Sequence, residues 1–444
     1  MKKIIQAILM GILGLTSAAW AQDQSQDVWK QEMERKLDIL TRELEKSKLG
    51  EAADPVYESA YGFAPAAAKV YHINRGVSIG GYGEMTVQDF KAQKDNGVAS
   101  GKKREADFLR AILYAGFKFT DNILFNSEIE FEHATTGGGA GARGEASLEF
   151  GYLDFFLAKP FGVRAGLLLM PIGFINELHE PTIFHGSRRP NVESSIIPTT
   201  WRENGVGIFG EVGPLSYRSY IITGLQAIKD ADIAAGVKGP VQGFGASAPL
   251  RNARSKGAKT QAEDLAWVGR LDYKGFAGAL LGVSYYSGKA GQNNTDADGQ
   301  DIDAPVTLSD IHGSAEYRGL ELKVLYANGT IGDVSAINSK NSLSGDASVG
   351  ERFYGGYVQV AFDVLSLMGS KYYLAPFVRY EKYDSQQRVP AGFLKNPANK
   401  RTEYTLGLTY KPYPNTALKA DWQNMKDDAN TGIDQFNLAI GYLF

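Results

Sequence analysis

From residue 77 to the carboxy terminus, apolar and polar positions alternate with period two in about sixteen separate runs. Successive strand side chains point to opposite faces, so each run predicts a strand with one apolar and one polar face. The runs are 77–90, 107–119, 122–132, 145–158, 162–170, 203–213, 215–226, 264–274, 276–288, 306–318, 320–331, 351–364, 371–384, 400–411, 415–426 and 432–444. In one of them Leu320, Leu322, Val324 and Tyr326 alternate with Glu321, Lys323 and Leu325. In another, Tyr404, Leu406, Leu408 and Tyr410 alternate with Glu403, Thr405, Gly407 and Thr409. The run 145–158 has aromatics on both faces, which a β-bulge would explain. At the end of the chain Phe436, Leu438, Ile440, Tyr442 and Phe444 share one face, opposite Asn437, Ala439 and Gly441. A lipid-facing barrel strand needs this apolar-out, polar-in alternation with aromatics near the interface.

The connections alternate as well. Tight turns fall at 120–122, 159–161, 213–214, 274–275, 318–319, 366–370 and 412–415. Between them lie long polar segments at about 91–106, 133–144, 171–202, 227–263, 289–305, 332–350 and 385–399, with a short one near 427–431. Short turns at one end and long loops at the other, with an even strand count, predict an all-β fold. We read residues 72–444 as a 16-stranded antiparallel transmembrane β-barrel with both chain ends on the short-turn side. A soluble sheet is the competing reading of any single strand.

The amino-terminal part is different. Lys2 and Lys3 precede an apolar run at 4–15, and Ala19-Trp20-Ala21 offers a small-x-small cleavage site. Residues 1–21 therefore read as a signal peptide, which directs the chain through the periplasm to a bacterial outer membrane. In 22–49, Met33, Leu37, Leu40 and Leu44 are spaced as the seam of a short periplasmic coiled-coil helix; a lone solvated helix is the other reading. Residues 50–71, with Pro55 and Pro65, read as a linker.

Composition changes the picture little. Gly 51, Tyr 23 and Phe 22 are high counts for 444 residues, while a mean hydropathy of −0.24 hides one greasy face per strand. The formal charge of −3 argues against a general nucleic-acid binder. Without cysteine, the exported chain must be held by hydrogen bonds and packing.

Sixteen strands leave a lumen wide enough to need a constriction. The third long loop, 171–202, is rich in prolines and charges and is the candidate. Strand parity turns Arg110, Lys118, Arg164, Arg218, Arg270, Lys323, Arg379, Arg401 and Lys419 inward. It also turns inward Glu128, Glu130, Glu132, Glu211, Asp272, Glu316, Glu321, Asp363, Glu381, Glu403 and Asp421, so the wall charges nearly cancel. Selectivity then depends on the narrowest level. Arg188 and Arg189 lie in the loop, Arg164 and Arg202 flank it, and Arg110, Arg218 and Arg270 stand on the wall. Guanidinium groups bind oxyanions bidentately, which suits phosphate or other small anions. The competing reading has these arginines bracing the loop against Glu177, Glu180, Glu193 and Glu203. A framework of Glu177, His179, Glu180, Pro198 and Trp201 shapes the loop. A second basic cluster, Lys229, Lys238, Arg251, Arg254, Lys256 and Lys259, reads as a solvated surface loop or a contact for lipopolysaccharide phosphates.

The stretch Glu177-x-His179-Glu180-Pro181 through Ile197-Pro198-Thr199-Thr200-Trp201-Arg202-Glu203-Asn204-Gly205-Val206-Gly207 resembles the loop and next strand of porins related to the phosphate-selective porins O and P. The resemblance in barrel organisation extends over about 72–444. It implies a homotrimer, a passive channel, no cofactor and a path lined by basic side chains. Residues 436–444 also resemble the terminal signal read by the barrel assembly machinery.

Two alternatives remain. One is a barrel for envelope attachment or adhesion through the amino-terminal helix. The other is a lipid hydrolase using His312 and Ser314, which share a strand face; that face is turned to the lumen, whereas a lipid-cleaving site must meet lipid. No enzyme is expected. The remaining histidines, His72, His133, His179 and His185, have no metal-ligand spacing, so no metal is expected either.

Overall fold

The structure is a computed structural model and describes residues 32–33, 35–39, 58–135, 143–158, 160–229 and 243–444. Sixteen strands form. They are β1 Gly76–Phe90, β2 Glu105–Thr120, β3 Ile123–Glu132, β4 Ala146–Ala158, β5 Phe161–Leu169, β6 Arg202–Val212, β7 Leu215–Thr223 and β8 Leu265–Tyr273. They continue with β9 Ala279–Gly288, β10 Val306–Tyr317, β11 Leu320–Ile331, β12 Arg352–Phe362, β13 Tyr373–Arg388, β14 Lys400–Tyr413, β15 Thr416–Asp427 and β16 Gln435–Leu443. Each pairs antiparallel with its sequence neighbours, and β1 pairs with β16, so the barrel closes. Every expected strand is present. The largest boundary difference is β13, which runs to Arg388 instead of 384. Its last residues, Ser385-Gln386-Gln387-Arg388, carry no apolar face to betray a strand, yet Arg388 still pairs with Arg352 of β12.

Alternation decides what faces lipid. Leu320, Leu322, Val324 and Tyr326 of β11 are exposed, whereas Leu325 between them is buried. On β14 and β15, Tyr404, Leu406, Leu408, Leu418 and Trp422 point out while Glu403, Thr405, Thr409, Lys419 and Asp421 are buried inside. An apolar exterior around a polar interior is the arrangement of a membrane-spanning barrel. No described helix is long and apolar enough to cross a membrane. β4 contains the expected bulge. Phe150 lies opposite Glu128 and Leu148 opposite Ile129, which leaves Glu149 as the extra residue. Glu149 and Phe150 are both buried as a result.

The expected 50–71 linker does not hold over its second half. The compact unit that contains the barrel begins at Tyr57, and Pro65–His72 forms a helix, α1. Proline is suited to the first helical turn, and the alanines that follow are strong helix formers. Ala66, Ala67, Ala68 and Val70 are buried, and α1 touches β1, β2 and β3. It meets inward-facing residues through backbone and side chain: Asn126 Nδ2 donates to the Ala67 carbonyl at 2.9 Å, and the Tyr71 hydroxyl donates to Asp154 Oδ2 at 2.8 Å. The segment is an inward plug at the short-turn end. Sequence spacing could not reveal this, because the partners of α1 come from β3, β4 and a distant loop.

In the amino-terminal unit, residues 32–33 and 35–39 are helical, and Met33 and Leu37 are exposed. Leu40 and Leu44 of the expected seam, and the expected signal peptide, lie outside the described residues.

Candidate functional site

The β5–β6 loop turns inward at its neck. The Met170 amide donates to the Trp201 carbonyl at 2.9 Å. Asn176 donates to the carbonyls of Met170 and Trp201 at 2.7 and 2.9 Å and accepts from the Trp201 amide at 2.7 Å. Trp201 is buried against Tyr286, ring centroids 4.9 Å apart, and Pro198 is buried beside the neck. Sequence reasoning named Trp201 and Pro198 but missed Asn176, whose side-chain amide reinforces the backbone bond between the two ends of the loop.

From the neck the loop crosses the lumen and is fastened to the wall all round. The Gly173 amide donates to Asp310 of β10, and the Ser187 amide to Asp421 of β15. Asn191 donates to Glu403 of β14, and the Val192 amide to Glu381 of β13. Glu193 accepts from the Tyr357 hydroxyl of β12 at 2.7 Å and from the Ile175 amide at 2.7 Å. Glu180 accepts from the amides of Ala66 and Ala67 at 3.3 and 3.0 Å, at the helix end that favours negative charge. Burial pushes its carboxyl up to about 7, against those two hydrogen bonds.

The expected path arginines divide into two groups. Five are held by carboxylates. Arg164 binds Asp154 bidentately at 2.8 Å and also donates to the hydroxyls of Tyr71 and Tyr220. Arg202 donates to Glu149 at 2.9 Å. Arg218 lies 3.2 Å from Glu177 and 2.8 Å from Asp272, and Arg270 lies 2.8 Å from Asp272 and 4.0 Å from Glu177. Arg110 lies 3.2 Å from Glu84 and 3.7 Å from Glu130. Arg164, Arg202, Arg218 and Arg270 are buried. Of the expected bracing acids only Glu177 meets these arginines, at Arg218 and Arg270; Glu203 accepts from the Ser255 hydroxyl instead.

Arg188 and Arg189 form the other group. Arg188 is exposed and Arg189 is part-buried. Arg189 donates to the Thr199 hydroxyl and the His179 carbonyl, and its Nε has no partner. Arg254 donates to the Thr199 carbonyl and, at 2.7 Å, to the Arg251 carbonyl. The Arg254 part of the 227–263 loop thus folds back onto the inward loop. Arg251 is within electrostatic reach of both Arg188 and Arg189. None of the four forms an ion pair with a carboxylate among the described residues. Burial, then Arg251 and Arg202, pushes the Arg254 guanidinium down to about 10, which leaves it charged at neutral pH. In the rest of that second basic cluster, Lys256 pairs with Glu145, Lys259 is exposed, and Lys238 is outside the described residues.

Four of the five histidines, all but His72, are engaged by acids. His312 sits between Asp310 at 2.5 Å and Asp272 at 3.0 Å. His185, in the inward loop, lies 3.0 Å from both Glu321 and Thr409 and stacks on Phe377. A carboxylate only accepts, so Nε2 donates to Glu321 and Nδ1 accepts from the Thr409 hydroxyl. Burial lowers the His185 pKa, outweighing the Glu321 hydrogen bond. His179 joins Glu128 and Glu149 in a buried trio whose ligand-type atoms lie within 4.8 Å of one another. These residues come from the loop, β3 and β4, so no sequence spacing announces them.

No protein-family model matches the chain. In fold it is similar to Salmonella typhi OmpF in complex with daunomycin, with a TM-score of 0.55 and 12% identity over 84% of this chain and 98% of that one. It is also similar to the outer membrane channel DcaP of Acinetobacter baumannii, with a TM-score of 0.50 and 14% identity over 83% and 97%. A loop-deletion form of OmpT, an outer membrane protein of Vibrio cholerae, gives a TM-score of 0.50 and 11% identity over 84% and 100%. The shared fold is that of bacterial outer-membrane barrels. In sequence, the chain is 38% identical over 395 residues to an uncharacterised protein of Aquifex aeolicus (strain VF5), covering 87% of this chain and 84% of the relative. On that identity and coverage, the chain belongs to the same protein family as the Aquifex aeolicus protein.

Proposed function

We propose that this chain is an outer-membrane porin, trimeric, through which small hydrophilic solutes diffuse passively with a bias toward oxyanions such as phosphate. The resemblance of 177–207 to porins related to the phosphate-selective porins O and P agrees with this reading. One observation carries it. Carboxylates hold the five wall arginines named above, whereas Arg189 and Arg254 meet at Thr199 with Arg251 in electrostatic reach of Arg188 and Arg189, and none of these four ion-pairs with a carboxylate among the described residues. Unpaired guanidiniums in a constricted, low-dielectric passage attract a permeating anion more strongly than the same groups in water. Guanidinium is also the side chain best matched to phosphate or carboxylate geometry.

The test is reversal potential in a salt gradient across planar bilayers, with chloride, phosphate and a dicarboxylate in turn. Arg188→Ala with Arg189→Ala should lower anion-over-cation permeability, and acidic replacements should reverse the preference. Because arginines do not titrate near neutrality, Arg188 and Arg189 keep their charge between about pH 6 and 8. Unchanged ion preference with noisier current in the double Ala variant would reduce the pair to a bracing role.

A further inference from the structure

We propose that Glu128, Glu149 and His179 form a binding site for one divalent transition-metal ion of the zinc class, which fastens the inward loop to the barrel wall.

The argument starts from the imidazole. The Asn176 carbonyl can only accept, so His179 Nδ1, 2.9 Å away, carries a proton and donates it. Nε2 then faces Glu128 Oε1 at 3.0 Å and Glu149 Oε2 at 3.5 Å. A second ring proton would serve one of these oxygens. It would leave others stranded, since Glu128 Oε2 and Glu149 Oε2 are buried with no hydrogen-bond partner. Acceptors that converge in a buried space with too few donors call for a cation.

The geometry fits such an ion. Donor atoms about 2.0 Å from a tetrahedral zinc lie about 3.3 Å apart; the two separations from His179 Nε2 bracket that value, and all three donors lie within 4.8 Å of one another. A metal-bound histidine characteristically donates its other ring nitrogen to a carbonyl or carboxylate, as His179 does to Asn176. Arg202 orients the far oxygen of Glu149, so the second shell is present as well. The bulge in β4 is what turns Glu149 inward beside Phe150, and bulges commonly re-aim a side chain in this way. One imidazole and two carboxylates suit zinc better than calcium, which takes six to eight oxygens. A carboxylate's second oxygen or a water completes the coordination.

Metal content of untagged barrel, extracted in detergent, equilibrated with Zn²⁺ and then dialysed, tests the site. About one zinc per chain is expected, with cobalt substitution giving the visible absorption of a tetrahedral ion. Glu149→Gln and His179→Gln should each weaken retention by about tenfold or more, while Glu211→Gln, on an exposed residue, should leave it unchanged. Wild-type barrel that holds no zinc overturns the proposal whether or not the variants fold. So does zinc retained equally in Glu149→Gln and His179→Gln. A His179 ring protonated on both nitrogens in zinc-equilibrated protein, seen by nitrogen NMR, would replace the metal with a shared proton.

Discussion

Arg164 and Arg188 place the same guanidinium in opposite settings. Arg164, 1% exposed, is matched by Asp154 and covered by the rings of Phe63, Tyr152 and Phe209. Removing one member of a buried pair strands the other, at about 3–5 kcal/mol. Arg164→Ala should therefore lower the stability of the detergent-folded barrel by that amount in denaturant unfolding. Arg188→Ala should change it by less than about 0.5 kcal/mol, because no carboxylate among the described residues pairs with the exposed Arg188. Equal effects would mean the division between bracing and free arginines is wrong. His185 supplies a pH test. Its pKa is lowered by burial, so the released loop binds a proton more readily than the docked one. The stabilisation His185 contributes is therefore present above its ordinary pKa of about 6.5 and is lost as pH falls below it. Protonation would also remove the acceptor that Thr409 uses and add charge near Lys323 and Lys411. Thermal stability should fall between about pH 7 and 5, and His185→Gln should flatten that part of the profile.

Among the elements, α1 is the one whose existence depends most on its surroundings. Eight residues form no stable helix alone in water. Here Glu180 satisfies two of its free amides, its own Tyr71 packs on Phe156, and the preceding Phe63 packs on Tyr152 and Phe150. α1 and the inward loop meet through Glu180. Deleting residues 58–72 should raise single-channel conductance and lower the unfolding temperature. Unchanged conductance would show that solutes pass beside α1 and that the segment only braces the wall. The inward loop differs from α1 because its anchors are spread over many strands, so losing any one of them should leave it in place.

For the molecule as a whole, closure is the decisive event, since an open sixteen-stranded sheet would leave unpaired edges in lipid. β16 is the last strand, and its ladder runs one residue past the assigned strand. The Phe444 amide donates to the Gly81 carbonyl, and the Gly81 amide to the Phe444 carbonyl, both at 3.0 Å. The Phe444 ring lies over Gly81, and a Cβ there would collide with the Ile112 carbonyl, so glycine is required. Two backbone hydrogen bonds are worth about 1 kcal/mol each, and Phe444 is 53% exposed toward lipid. Deleting Phe444, or adding a charged residue after it, should reduce the folded barrel recovered from membranes and leave periplasmic aggregates. Full recovery of the shortened chain would contradict that role. A trimer should migrate above the monomer in cold detergent and collapse to monomer on boiling.

The strands, their order, the barrel and its lipid face were determined by the sequence alone. Period-two alternation is a local signal, and it repeats sixteen times between turns of contrasting length. A bulge somewhere in 145–158 was legible for the same reason, because a residue added to one strand disturbs the alternation there; its place at Glu149 was not. What only the tertiary structure decided is the interior. Parity shows that Arg164 and Arg218 point inward but not that Asp154 and Glu177 wait for them. It leaves unseen the return of Arg254 to Thr199, the burial of α1 as a plug, and the meeting of His179 with Glu128 and Glu149. Those contacts join residues far apart in the chain, and their energy comes from removing charges and amides from water, which no stretch of sequence can do alone.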